Sequence, residues 1–153
     1  MSKYYKDKSN QLFVDPIVEN HTGLVEITKA EFDAMIAPTF SELQIAKINE
    51  IKQAFTTATK SGYICSNNIT MDADLTSIQT LDSGYNLAVK LGATTMDITD
   101  YSNVDHLALS IADVDTMIIE LGMNYNIFRV KKNTLKKQAE VAKTQTELDA
   151  IVW

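Results

Sequence analysis

Most features that would announce a chemistry are scarce in this chain. Cys65 is the only cysteine among 153 residues, so no intramolecular disulfide can form and no zinc-type or thiol–disulfide spacing exists. That fits a reducing cytoplasm. Two prolines and five glycines exclude a low-complexity chain, and no Gly-rich phosphate loop or Ser-containing nucleophile elbow is present. No apolar run reaches the roughly 18 residues of a spanning helix, and the opening Met1-Ser2-Lys3-Tyr4-Tyr5-Lys6-Asp7-Lys8 is too polar for a signal peptide. The expectation is a protein without a membrane partner that stays in the compartment where it is made.

What is there is a hydrophobic content of 45%, enough for one respectable core with a small appendage. The net charge of −6 is unevenly spread. Asp72, Asp74, Asp82, Asp97, Asp100, Asp105, Asp113, Asp115 and Glu120 face Lys90 alone, whereas Arg129, Lys131, Lys132, Lys136, Lys137 and Lys143 outnumber Glu140, Glu147 and Asp149. The acidic middle disfavours nucleic acid as a partner. The basic run has no interleaved aromatic platforms and reads as a solvated helix face.

The organising stretch is Ser110 to Ala142, whose apolar residues Val114, Ile118, Leu121, Tyr125, Phe128, Leu135, Ala139 and Ala142 alternate steps of three and four, broken only at Lys132. That period is one stripe of a helix, and Ser110 with Asp113 is a start signal. At ~1.5 Å per residue the helix is about 45 Å long. A chain of this size covers only part of such a helix, so Val114, Ile118 and Leu121 are expected in the core, and Phe128, Leu135 and Ala139 against another subunit or partner. Its acidic start and basic end suit the helix dipole.

Ahead of it, Lys3 to Val14 reads as a hairpin about Asp7-Lys8-Ser9-Asn10, closed by Asp15-Pro16. Gly23 to Ile27 reads as a third strand, and Thr28 with Glu31 caps a short helix over Phe32, Met35 and Ile36 that stops before Pro38. Thr39 with Glu42 opens a second helix carrying Leu43, Ile48, Ile51, Phe55 and Ala58 on one face, ended at Gly62. A hairpin follows, Tyr63 to Cys65 and Ile69 to Met71 about Ser66-Asn67-Asn68. Asp72 is read as the cap of a third helix carrying Leu75, Ile78, Leu81, Tyr85, Ala88 and Val89 and ending at Gly92. Thr95 to Thr99 and His106 to Leu109 alternate as half-buried strands. Thr144 with Glu147 starts a last helix over Leu148 to Val152, before Trp153. The fold class is therefore α+β, mostly helical, with short antiparallel hairpins and one long C-terminal helix. Two parts are expected: an attachment element over residues 1–38 and a helical α+β domain over 39–153.

Each residue able to do chemistry has a cheaper structural reading. His21 sits in the loop Asn20-His21-Thr22-Gly23 and His106 begins a strand, with no nucleophile nearby in sequence. Cys65 lies in an apolar strand with no flanking cation to activate its thiol. Asp72 with Asp74, and Asp113 with Asp115, resemble halves of calcium loops, but the first pair lacks the later glycine and glutamate and the second lies inside a helix start; helix caps account for them. No catalytic residue, metal ligand or cofactor is assigned. The aromatic clusters of Tyr4, Tyr5 and Phe13, and of Tyr125 and Phe128, read as core or interface.

Two segments carry a resemblance to phage tail-fibre and fibre-assembly proteins that share an uncharacterised C-terminal domain. The first runs through Tyr4-Tyr5, Asp7, Leu12-Phe13, Gly23-Leu24, Ile27-Thr28, Glu31-Phe32, Pro38-Thr39, Glu42-Leu43 and Lys47. The second runs from Lys47-Ile48-Asn49-Glu50-Ile51 through Gly62-Tyr63, Asp72-Ala73-Asp74, Tyr125 and Leu135-Lys136 to the closing stretch from Thr144 to Trp153. Thr94-Thr95-Met96 departs from the pattern, in which an aromatic is common there. The resemblance implies a non-enzymatic virion protein of the tail, made in the bacterial host cytoplasm. It would bind tail-fibre or baseplate proteins and could form homo-oligomers, either as a structural part or, alternatively, as a chaperone of fibre folding and trimerisation. An enzyme is the third reading. Partner-binding residues are expected at Tyr4, Tyr5, Phe13, Phe128, Leu135 and Trp153, across an interface of at least about 1,000 Å².

Overall fold

The computed structural model describes residues 2–15 and 23–153. Of these, 56% are helical and 17% lie in strands, all in short antiparallel pairings. The fold is α+β and mostly helical. The chain divides into two compact units, residues 1–42 and 43–153.

In the first unit, β1 (Tyr4–Lys6), β2 (Leu12–Val14) and β3 (Val25–Ile27) form a sheet in the order β2-β1-β3. Tyr5 lies opposite Phe13 on one side and Glu26 on the other. The β1–β2 turn is set by Asp7, whose Oδ1 accepts from the Ser9 and Gln11 amides at 2.8 and 2.9 Å, while Asn10 takes φ +62°. Thr28 and Glu31 exchange the reciprocal bonds of a capping box and open α1 (Lys29–Ile36). Of the three apolar residues expected to pack beneath α1, only Phe32 does so, against Tyr4 with ring centroids 4.8 Å apart. Met35 and Ile36 are exposed, because eight residues make barely two turns and a three-residue strand covers only one of them. Pro16 and His21 lie outside the described residues.

The second unit is built on α4 (Ile111–Val141), the 31-residue helix whose cap, Ser110, accepts from the Asp113 amide as expected. Its first half carries the core: Val114, Met117 and Leu121 are sealed against Ile78, Ile98, Met71, Ala73, Ile69 and Cys65. Met117, not Ile118, is the central residue; Ile118 sits at the margin, half-buried. Ile78 comes from α3 (Leu75–Lys90), Ile98 from β6 (Thr95–Thr99) and Met71 from β5 (Thr70–Met71), which pairs with β4 (Tyr63–Ile64). The cap of α3 is Asp74 rather than Asp72: its Oδ1 accepts from the Thr76 and Ser77 amides at 2.9 and 3.2 Å. Leu75 and Val89, expected on the inner face of α3, are exposed. At the other end Gly92, at φ +73°, closes a Schellman turn in which the Ala93 amide donates to Ala88 and the Gly92 amide to Val89.

β6 pairs with β7 (Asp105–Ser110), but the register slips between Met96–Leu109 and Ile98–His106. Two residues of β7 thus face Asp97. Ala108 takes φ +55° and donates its amide to Asp97 Oδ1 at 2.7 Å, and the bulge breaks the expected alternation, leaving Leu107 exposed.

α2 (Phe40–Lys60) turns Ile51, Phe55 and Thr59 inward. Within the second unit it runs antiparallel along the late half of α4: Gln44 meets residues 139 and 142, and Phe55 meets Tyr125. The last helix, α5 (Gln145–Asp149), starts at the expected Thr144–Glu147 capping box but ends earlier than expected, leaving Ile151 to Trp153 as a non-helical tail.

Candidate functional site

Cys65 is 2% exposed, directly follows β4, and faces Glu120 of α4. Burial and that carboxylate push its thiol up to about 11, so at neutral pH it is a buried apolar group rather than a thiolate. Glu120 has a different task. Its Oε2 accepts the Ser66 amide at 2.9 Å, tying the β4–β5 turn to α4, and that bond holds its carboxyl below the usual range. Asn67 completes the turn, giving an N–H to Met117 Sδ and accepting from the Ile69 amide.

His106 Nε2 lies 3.0 Å from Asp100 Oδ2. The same Asp100 accepts the Ser102 and Val104 amides through Oδ1, and the imidazole and these amides keep its carboxyl below its ordinary value. The pair therefore braces the β6–β7 turn. Asp113 accepts the Ser110 hydroxyl, and Asp115 lies against Tyr85, whose hydroxyl is raised by burial and by that carboxylate. Among the described residues, no three His, Cys, Asp or Glu side chains converge as ligands for a metal ion.

A cleft of about 380 Å³ opens between α3 and β6. Its rim is Asp72, Ser77, Thr80 and Asp97, over Met71, Met96 and Ile98. The hydroxyls are already used inside the fold: Ser77 donates to Asp74 Oδ2 and Thr80 to the Thr76 carbonyl.

The expected partner-binding residues fall into separate places. Tyr4 packs on Phe32 of α1, while Tyr5 and Phe13 share the opposite face of the sheet, both half-buried. Phe128 stacks on Trp153 with centroids 6.2 Å apart, and Trp153 also meets Phe55 edge-on at 6.5 Å. Lys131 places its ammonium 4.8 Å from the Trp153 ring and Lys132 places its own 4.1 Å from the Phe55 ring. Lys132 is thus no break in the stripe: its head closes over an aromatic ring of α2, as a long amphipathic side chain can. Ala139, expected against another subunit, is fully buried within this chain, and Leu135 is half-buried. Gln44 of α2 caps the nearby end of α4, donating to the carbonyls of Ala139 and Ala142 at 3.2 and 3.0 Å. The late inner seam of α4 is therefore covered by the chain's own α2, α5 and C-terminal tail.

The outward face of α4 bears what the inward period had concealed. Ile119, Met123, Ile127 and Val130 are between 54% and 63% exposed and follow one another at steps of four, four and three. The signal was present in the sequence as a second apolar set at helical spacing, hidden by the stronger first one. With this geometry in view, no family model matches the chain, and neither the curated proteins nor the solved structures yield a match.

Proposed function

We propose that this chain is a non-enzymatic structural component of a phage tail, at the baseplate or the fibre attachment, that works by binding other tail proteins. The single observation that carries the binding reading is the exposed apolar stripe on α4. A helix already sealed on one face holds four large side chains to solvent on the other, at the spacing of a helix contact. The phage context comes from the sequence pattern that runs from Tyr4 to Trp153. In support, the side chains with chemical potential serve the fold: Cys65 is a buried thiol, His106 and Asp100 brace a turn, and Glu120 ties a turn to α4.

Mass spectrometry of purified particles tests the proposal. The chain is expected in the particle at a fixed copy number. Its absence, with a fibre protein co-purifying from infected cells, would replace the structural role with that of an assembly chaperone. Absence from both would overturn the tail reading.

A further inference from the structure

The outer stripe of α4 lies in a charge pattern that selects its occupant. Among the exposed charges of α4, Asp113 precedes the midpoint of the stripe, and Arg129 and Lys137 follow it. A second copy of α4 laid parallel sets acid beside acid and base beside base. Laid antiparallel, each acidic half meets the other's basic half.

The apolar residues have the same symmetry. Reversal of the helix about residue 125 exchanges Met123 with Ile127 and lays Ile119 within one residue of Val130, so the stripe closely matches its own reverse. Gly122 adds room beside the seam, since a Cβ there would meet nothing within 4 Å. A patch that matches its own two-fold image is the requirement for a closed, isologous pair.

We propose that two copies of this chain pair through the outer faces of α4, antiparallel, with Ile119, Met123, Ile127 and Val130 forming the seam and opposite charges flanking it. The inference rests on the reading that the stripe is a protein contact, and it names the partner as a second copy.

Sedimentation velocity on the full chain, from about 1 µM to about 100 µM, should show a concentration-dependent species of twice the 17.1 kDa chain mass. Met123→Lys with Ile127→Lys should weaken the pair by more than about 100-fold while leaving the circular dichroism spectrum unchanged. Orientation is read from mixing. Ile119→Cys copies should cross-link to Val130→Cys copies and neither to itself, with Cys65 too buried to compete. Self-cross-linking of each variant, which a parallel pair gives, overturns the proposal. So does a dimer indifferent to the double lysine change, and so does a monomer throughout the range. A monomer that is nonetheless present in particles leaves the tail reading standing and removes only the self-pairing.

Discussion

Ala108 sits where glycine is the ordinary choice. A left-handed backbone costs an L-residue roughly 1 kcal/mol or more, and here the bulge that imposes it is held by the bond from the Ala108 amide to Asp97. Ala108→Gly is therefore expected to raise stability by up to about 1 kcal/mol in chemical denaturation, the gain being reduced by the freer unfolded chain. A loss would mean that the alanine methyl makes a contact worth more than the strain. Glu120 gives a pH signature. Its folded carboxyl lies below the ordinary 4.5, so the stability it contributes is present above that value and is lost as the pH falls through the lower folded one. Glu120→Gln should be less stable than the native chain at pH 7, and the two should converge as the pH falls through the lowered folded value. A difference that persists in acid would assign Glu120 a role in packing instead. The caps at Thr28, Ser110 and Thr144 were legible in sequence because each bond spans three residues. Asp97 with Ala108, or Glu120 with Ser66, was not legible, since these partners lie 11 and 54 residues apart and nothing local marks them.

At the scale of elements, α4 was readable in extent and first stripe but not in its surroundings. Its length suggested that the late half must leave the fold, yet α2 runs along that half and α5 folds back to it, burying Ala139, Leu148 and Ile151. The covering element lies 95 residues upstream of Ala139, a separation that periodicity cannot bridge. It follows that the two halves of α4 should answer alike to truncation. Leu121→Ala in the first half, and Leu148→Ala in the α5 helix that folds back on the second, both 1% exposed, should each cost about 2–5 kcal/mol of unfolding free energy in the monomer. A Leu148→Ala chain that is as stable as the native one would restore the reading of the late half as a surface for a partner. The exposed stripe was missed for a simpler reason. A helix with one apolar face reads as finished, and the second apolar set of Ile119, Met123, Ile127 and Val130 does not stand out beside it.

For the whole molecule, the two units differ in what can hold them. Ile27 is the only buried apolar side chain among the described residues of 1–42, whereas the larger unit has a core of its own about α4. A chain beginning at Thr39 keeps the Thr39–Glu42 bonds that open α2, and it should melt in one cooperative transition. Gradual melting would place residues 1–38 within the same cooperative structure. The central claim is that the chain acts by contact through the outer face of α4, and complementation tests it most directly. On the proposed tail reading, a phage deprived of this chain is supplied with the Met123→Lys, Ile127→Lys variant, whose inner core is untouched. Assembly of infectious particles is expected to fail although the variant folds and accumulates at the native level; infectious particles at the native yield would contradict the claim.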